Sequence, residues 1–110
     1  MSSGRARKIL VVDDEPSVTG SLEVILSGAG FEVLTANSFA AATAILNRTS
    51  FDLVITDLRI SDASGIDLIK HIKRNTPETE VILMTAYGSL DITIEAIKAG
   101  AYYCLEKPYT

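Results

Sequence analysis

Five polar residues of this 110-residue chain stand at the ends of apolar runs. Asp13 and Asp14 follow Lys8-Ile9-Leu10-Val11-Val12. Asp57 closes Phe51-Asp52-Leu53-Val54-Ile55-Thr56, Thr85 closes Glu80-Val81-Ile82-Leu83-Met84, and Lys107 follows Tyr102-Tyr103-Cys104-Leu105-Glu106. The run into Asp57 is interrupted only by β-branched Thr56, as expected of a strand buried on both faces of a parallel sheet. A parallel strand ending in Asp carries that carboxylate to the sheet's carboxyl edge, where open α/β folds build their sites. With the other runs in the same sheet, all five residues meet on one edge as three carboxylates, a hydroxyl and an ammonium. Packed carboxylates repel. A hard divalent ion, Mg²⁺ first and Mn²⁺ as its alternative, relieves the repulsion and keeps positions open for phosphate oxygens. A carboxylate can act as nucleophile and form an aspartyl-phosphate. Phosphoryl transfer needs mainly positioning and charge neutralisation, which a cation and Lys107 supply, while Thr85 can donate to a phosphate oxygen. The set is complete for self-phosphorylation of Asp57 from a donor carried by another molecule.

The elements that must position these groups alternate along the chain. After the first strand, Pro16 suits the first turn of a helix that Asp14 or Glu15 would cap or favour electrostatically. Val18, Leu22, Ile25, Leu26 and Ala29 then recur at helical spacing, with Gly30 as the stop. Glu32-Val33-Leu34-Thr35 is a second strand. Ser38 caps a helix with Phe39, Ala42 and Leu46 on one face. The strand ending at Asp57 comes third, followed by a stretch of loop composition, Leu58 to Gly65. Ile66, Ile69 and Ile72 mark a third helix running to about Asn75. Strand four is Glu80–Thr85. The fourth helix covers Leu90 to Ala99, with Ile94 and Ile97 inward and Gly100 as its stop, and Tyr102–Leu105 is strand five. Five strands alternating with four helices imply right-handed βαβ crossovers, a parallel sheet and helices on both of its faces.

Composition bounds the rest. The length allows one domain with a single core. Residues 1–7 read as a flexible tail and 8–110 as the domain. Hydrophobic residues are 47% and charged residues 22% of the chain, a globular balance, and no apolar run is long enough to span a membrane. A net charge of −4 argues against a direct nucleic-acid surface on this domain; Arg5, Arg7 and Lys8 are too few for one. No secretory signal is visible, and a lone cysteine, Cys104, excludes an internal disulfide and fits a reducing cytoplasm.

Ile9-Leu10-Val11-Val12-Asp13-Asp14-Glu15, Asp57 with Gly65 downstream, Thr85-Ala86 and Lys107-Pro108 together resemble the receiver domains of two-component response regulators. Met84-Thr85-Ala86-Tyr87-Gly88 and Gly100-Ala101-Tyr102 resemble most the receivers of nitrogen-regulatory-type transcriptional activators. The resemblance implies a flavodoxin-like, doubly wound sheet of order 2-1-3-4-5. It implies that Asp57 accepts phosphate from a phosphohistidine of a sensor histidine kinase. Asp14 would bind Mg²⁺ directly, Asp13 largely through water, and the backbone carbonyl of Arg59 would be a further ligand. Lys107, Thr85 and Ala86 would form the phosphate-binding set. Thr85 would also act as a switch toward the fourth helix and fifth strand, and Lys107-Pro108 would be a cis peptide. Arg59 and Tyr87 would flank the site and tune the phosphate's survival. Such a domain is a self-phosphorylating acceptor with slow autodephosphorylation rather than a turnover enzyme. Its partners would be the kinase and an output domain or downstream protein, with no membrane and with a homodimer as one further association.

Three departures stand against the family pattern. Cys104 occupies the position where the family carries a rotating Tyr or Phe, so that adjacent Tyr102 or Tyr103 would contribute to the switch instead, although strand alternation puts Tyr103 on the opposite face and makes it no simple substitute. Ile60-Ser61 stands where Met-Pro is common, which predicts a less rigid loop. The chain stops about where a fifth helix should begin beside the first, so the domain is expected to be truncated there, with an apolar sheet face left to a partner.

Singly, these residues are bland. Asp13-Asp14 could be a solvated cap, Thr85 a strand end, Lys107 a surface charge, His71 a solvent-facing helix residue and Cys104 a small buried apolar group. Their joint placement at four strand ends is what carries the reading. The competing function is a phosphorylation-independent, receiver-like adaptor. A haloacid-dehalogenase-type phosphatase also uses Asp and Mg²⁺ but needs a second Asp two residues on, where Arg59 stands.

Overall fold

The computed structural model describes residues 7–85 and 90–106, with Glu106 described by its backbone alone. In chain order the elements are β1 (Lys8–Val12), α1 (Pro16–Gly28), β2 (Glu32–Ala36), α2 (Phe39–Leu46), β3 (Leu53–Asp57), β4 (Arg59–Ile60), β5 (Ala63–Ser64), α3 (Gly65–Asn75), β6 (Glu80–Thr85), α4 (Leu90–Ala99) and β7 (Tyr103–Glu106). Five strands form one parallel sheet of order β2-β1-β3-β6-β7. That is the expected 2-1-3-4-5 order, with the fold class as predicted. The stretch after Asp57, expected to be an open loop, instead closes as a two-residue antiparallel hairpin in which Arg59 pairs with Ser64 and Ile60 with Ala63.

Alternation along the strands divides the core in two. Leu10, Val12, Val54, Val81 and Leu83 face α2, α3 and α4 and pack there with Phe51, Ile60, Ile66, Leu68, Ile69, Ile72 and Ala96. Ile9, Val11, Ile55 and Met84 face α1, where Val18, Leu22, Leu26, Leu53 and Ile82 are only partly covered. No residue of α1 is fully buried. The fifth helix implied by the resemblance is not among the described residues. An apolar groove of about 380 Å³ lies on this side, lined in part by Ile9, Leu26, Phe31, Leu53 and Ile82.

The helix starts follow local chemistry. Ser38 caps α2 by accepting from the Ala41 N–H at 3.0 Å, and Ser64 with Asp67 forms a reciprocal capping box on α3. In α1, by contrast, Pro16 opens the helix while Glu15 makes no side-chain cap bond, so the expected acidic cap is not made. Gly30 and Gly100 take positive φ where α1 and α4 end, as their positions suggested.

Three expected burials and one expected exposure are corrected. Ile25 is 64% exposed, because Val18, Leu22 and Leu26 make up the stripe that α1 turns to the sheet. Ile94 and Ile97 are 42% and 47% exposed; α4 carries apolar residues on more than one side, and Ile92, Ala96 and Ala99 take its inner face. His71 is half-buried rather than solvent-facing, its ring edge-on to Phe39 of α2 with centroids 5.9 Å apart.

Candidate functional site

The site lies at the carboxyl edge of β1 and β3, neighbours in the sheet. Asp13 is fully buried, Asp57 retains 9% exposure and Asp14 is open to solvent. Their carboxylate oxygens lie within 4.8 Å of one another. Octahedral Mg²⁺ holds oxygens at about 2.1 Å, so opposite ligands stand about 4.2 Å apart, and three hard oxygen donors at this spacing fit such an ion. Asp13 is oriented twice. Its Oδ1 accepts from the Glu15 N–H at 3.0 Å, and its own N–H donates to the Ala36 carbonyl at 3.1 Å.

Asp57 is held through its main chain. The Thr56 hydroxyl donates to the Asp57 carbonyl at 3.0 Å, and the Leu58 N–H to the Met84 carbonyl at 2.9 Å. The Gly65 N–H then closes the base of the hairpin on the Leu58 carbonyl at 2.7 Å. Gly65 is the residue this closure requires: a Cβ there would collide with the Asp57 carbonyl oxygen and come within 2.9 Å of Leu83 Cδ1.

The model of the response regulator receiver domain family matches residues 9–110. The chain belongs to that family. Response regulator protein PilR of Pseudomonas aeruginosa is 44% identical over 102 residues, a match covering 93% of this chain and 23% of that protein. The receiver is thus similar to about a quarter of that longer relative. A solution structure of the beryllofluoride-activated NtrC4 receiver domain dimer superposes with a TM-score of 0.88 at 40% identity, covering 94% of this chain and 85% of that one. Both relatives are of the nitrogen-regulatory type, as the sequence resemblance implied. A response regulator from Burkholderia pseudomallei, with a phosphorylated aspartic acid, a calcium ion and citrate, superposes with a TM-score of 0.89 at 28% identity, covering 94% of this chain and 61% of that one.

Of the receiver residues read from the sequence, Asp13, Asp14 and Asp57 are brought together. Arg59 follows two residues after Asp57 in β4, and Thr85, 1% exposed, ends β6 one position beyond Met84, the register partner of Asp57. Cys104 pairs in register with Leu83 and faces α4, where the Thr93 hydroxyl donates to its Sγ at 3.8 Å. Tyr103 is 55% exposed, and alternation gives it the face opposite to Cys104. Ala86, Tyr87, Lys107 and Pro108, and with them the expected cis peptide, lie outside the described residues.

Three contributors were not legible in advance. Thr56 reads as a strand filler, yet its hydroxyl holds the carbonyl of the next residue; Thr93 reads as an ordinary helix residue and meets Cys104 only in the fold. Asp62, at the hairpin tip, accepts from the Phe39 N–H at 2.7 Å and the Ala40 N–H at 3.1 Å. The Phe39 bond is the chief cause holding this exposed carboxyl below its ordinary range.

Proposed function

We propose that this receiver accepts a phosphoryl group on Asp57 from a phosphohistidine of a sensor histidine kinase and turns it into a change at the α4–β7 face. The observation that carries the reading is the convergence of the Asp13, Asp14 and Asp57 carboxylates within 4.8 Å. These three carboxylates, with the Arg59 main-chain carbonyl, would hold Mg²⁺ or Mn²⁺. Bound there, the cation supplies charge neutralisation for the phosphoryl oxygens. An Oδ of Asp57 forms a bond to phosphorus as the P–N bond to the donor imidazole breaks. The imidazole nitrogen keeps the electron pair and takes a proton from solvent. Lys107 and the Ala86 main chain bind the phosphoryl oxygens, and Thr85 turns its hydroxyl toward them. The phosphorylated aspartate and cation of the Burkholderia pseudomallei relative support this chemistry.

Thr85 ends β6, the strand between β3, which ends in Asp57, and β7, which the Thr93–Cys104 bond joins to α4. Cys104 stands where a rotating aromatic is usual, so the switch works through Thr85 and the α4–β7 contact. Leu90, Ile94 and Ile97 are exposed along α4, an apolar stripe suited to an output domain or to a second copy. The NtrC4 receiver dimer supports the latter. Phosphate favours the switched state only by its difference in affinity for the two states. The domain works in the cytoplasm, as an acceptor with slow autodephosphorylation, and touches neither nucleic acid nor membrane directly.

Intact mass after incubation with Mg²⁺ and a small phosphodonor tests the assignment. One added phosphoryl group is expected in wild type, none in Asp57→Asn and none with chelator present; a stable adduct on the mutant sinks it. The adaptor reading, which Cys104 favours, expects neither adduct nor metal binding.

A further inference from the structure

We propose that Asp62 is a positioning residue for the acidic site, holding the hairpin that follows Asp57 against the start of α2. The proposal rests on the reading of that site as a metal centre.

The amino end of α2 needs acceptors. Its first N–H groups have no partners within the helix. Ser38, its own N-cap, takes the Ala41 N–H, while the Phe39 and Ala40 N–H groups are taken by Asp62, 23 and 22 residues away. An acidic residue within α2 would serve the helix equally well. One supplied from the hairpin does something more, because it joins two parts of the site's frame. The hairpin begins at Arg59, directly after Asp57 and Leu58, and its Ile60 is buried in the core. On the other bank, the Asp13 N–H is bonded to the Ala36 carbonyl, and Ala36 leads through Asn37 and Ser38 into α2. The links form a ring that runs from Asp13 to Ala36, along the start of α2, across to Asp62, and back through Arg59 to Asp57. A pocket of about 290 Å³ opens beside Asp13, between the starts of α1 and α2 and lined by Pro16, Thr19, Thr35, Ala36, Asn37 and Ala41, so this bank is not packed solid. Asp62 itself is exposed and adds nothing to the core. Its contribution is to fix the separation of the two banks that carry Asp13 and Asp57, and the direction of the Arg59 carbonyl between them.

Groups that orient metal ligands without touching the ion typically change affinity by 10- to 100-fold when removed, and an exposed clamp belongs at the lower end of that range. The test is a titration with Mg²⁺ alone, followed by amide chemical shifts. Asp62→Ala should raise the half-saturating Mg²⁺ concentration by about tenfold. It should leave the rate of adduct formation at saturating Mg²⁺ within about twofold, the split expected when binding rather than chemistry is lost. Asp62→Asn, which keeps one acceptor oxygen, should recover part of the affinity, and it carries the test if the Ala protein does not fold. An unchanged half-saturation point in a folded Ala variant overturns the proposal. So does an Asn variant as weak as Ala, which would assign the effect to charge alone. Wild type that binds Mg²⁺ with the expected Asp62 dependence but takes no phosphoryl group overturns the phosphoacceptor reading and leaves this one standing. Wild type that binds no Mg²⁺ overturns this one.

Discussion

The two faces of the sheet are built to different standards. On the side of α2, α3 and α4, strand residues such as Leu10, Val54 and Leu83 are wholly buried and meet helix residues, among them Leu68 and Ile69, that are wholly buried too. On the side of α1, Ile9, Val11, Ile55 and Met84 are buried, but their strand neighbours Val33, Leu53 and Ile82 and the helix residues Val18, Leu22 and Leu26 are only partly covered, and Val24 and Ile25 point to solvent. Both faces come from the same strands by simple alternation, and among the described residues α2, α3 and α4 cover one face while α1 covers the other. The candidate site draws its support from the finished side. Ile60 anchors the hairpin there, Gly65 begins α3 against the Asp57 carbonyl, and α2 receives Asp62. The groups that must stay still are tied to the face that is packed, and the face with spare apolar surface carries none of those three anchors.

Equivalent deletions on the two faces should expose this contrast. Leu83→Ala on the finished face is expected to lose about 2–5 kcal/mol of unfolding free energy, because a fully enclosed cavity remains. Leu26→Ala on the α1 face should lose only about 1 kcal/mol, since its site already opens to a groove. Denaturant unfolding of the pair measures the difference, and equal losses would refute the contrast. Gly65→Ala sharpens it at the junction of hairpin and finished face: overpacking against the Asp57 carbonyl and Leu83 should remove about 1–3 kcal/mol and weaken Mg²⁺ binding as well.

The smallest effect concerns Asp62. Its carboxyl is held below its ordinary range in the fold, so the stabilisation is present above the unfolded value and fades as pH falls through the lowered folded value. Wild type should therefore lose, on acidification below about pH 4, an increment of stability that Asp62→Asn lacks. Thermal midpoints of the two proteins across that range make the measurement.

How much of this was readable in advance depended on whether a residue's partner was local. The five sheet strands announced themselves as apolar runs with polar ends, and their acids met as expected. Strand order followed from the family resemblance rather than from periodicity. Helix faces were less secure: Ile94 and Ile97 read as inward because α4 is apolar on several sides, and only packing shows that Ile92, Ala96 and Ala99 are chosen. A two-residue strand has no periodicity to detect, so the hairpin after Asp57 was invisible. The bonds of Asp62 to α2 and of Thr93 to Cys104 join residues that no local pattern connects.

The β1–β3 pairing has one further consequence. It brings together residues 44 positions apart, and Asp13 and Asp57 stand at the ends of that span. Closing a loop of this length costs about 3 kcal/mol of chain entropy beyond a constant term. Any ion that grips both carboxylates at once holds the loop shut, so it acts as a reversible cross-link, a staple made of charge rather than sulfur. Removing it would loosen the whole chain as well as empty one site, by an amount that grows with the logarithm of the ion's concentration.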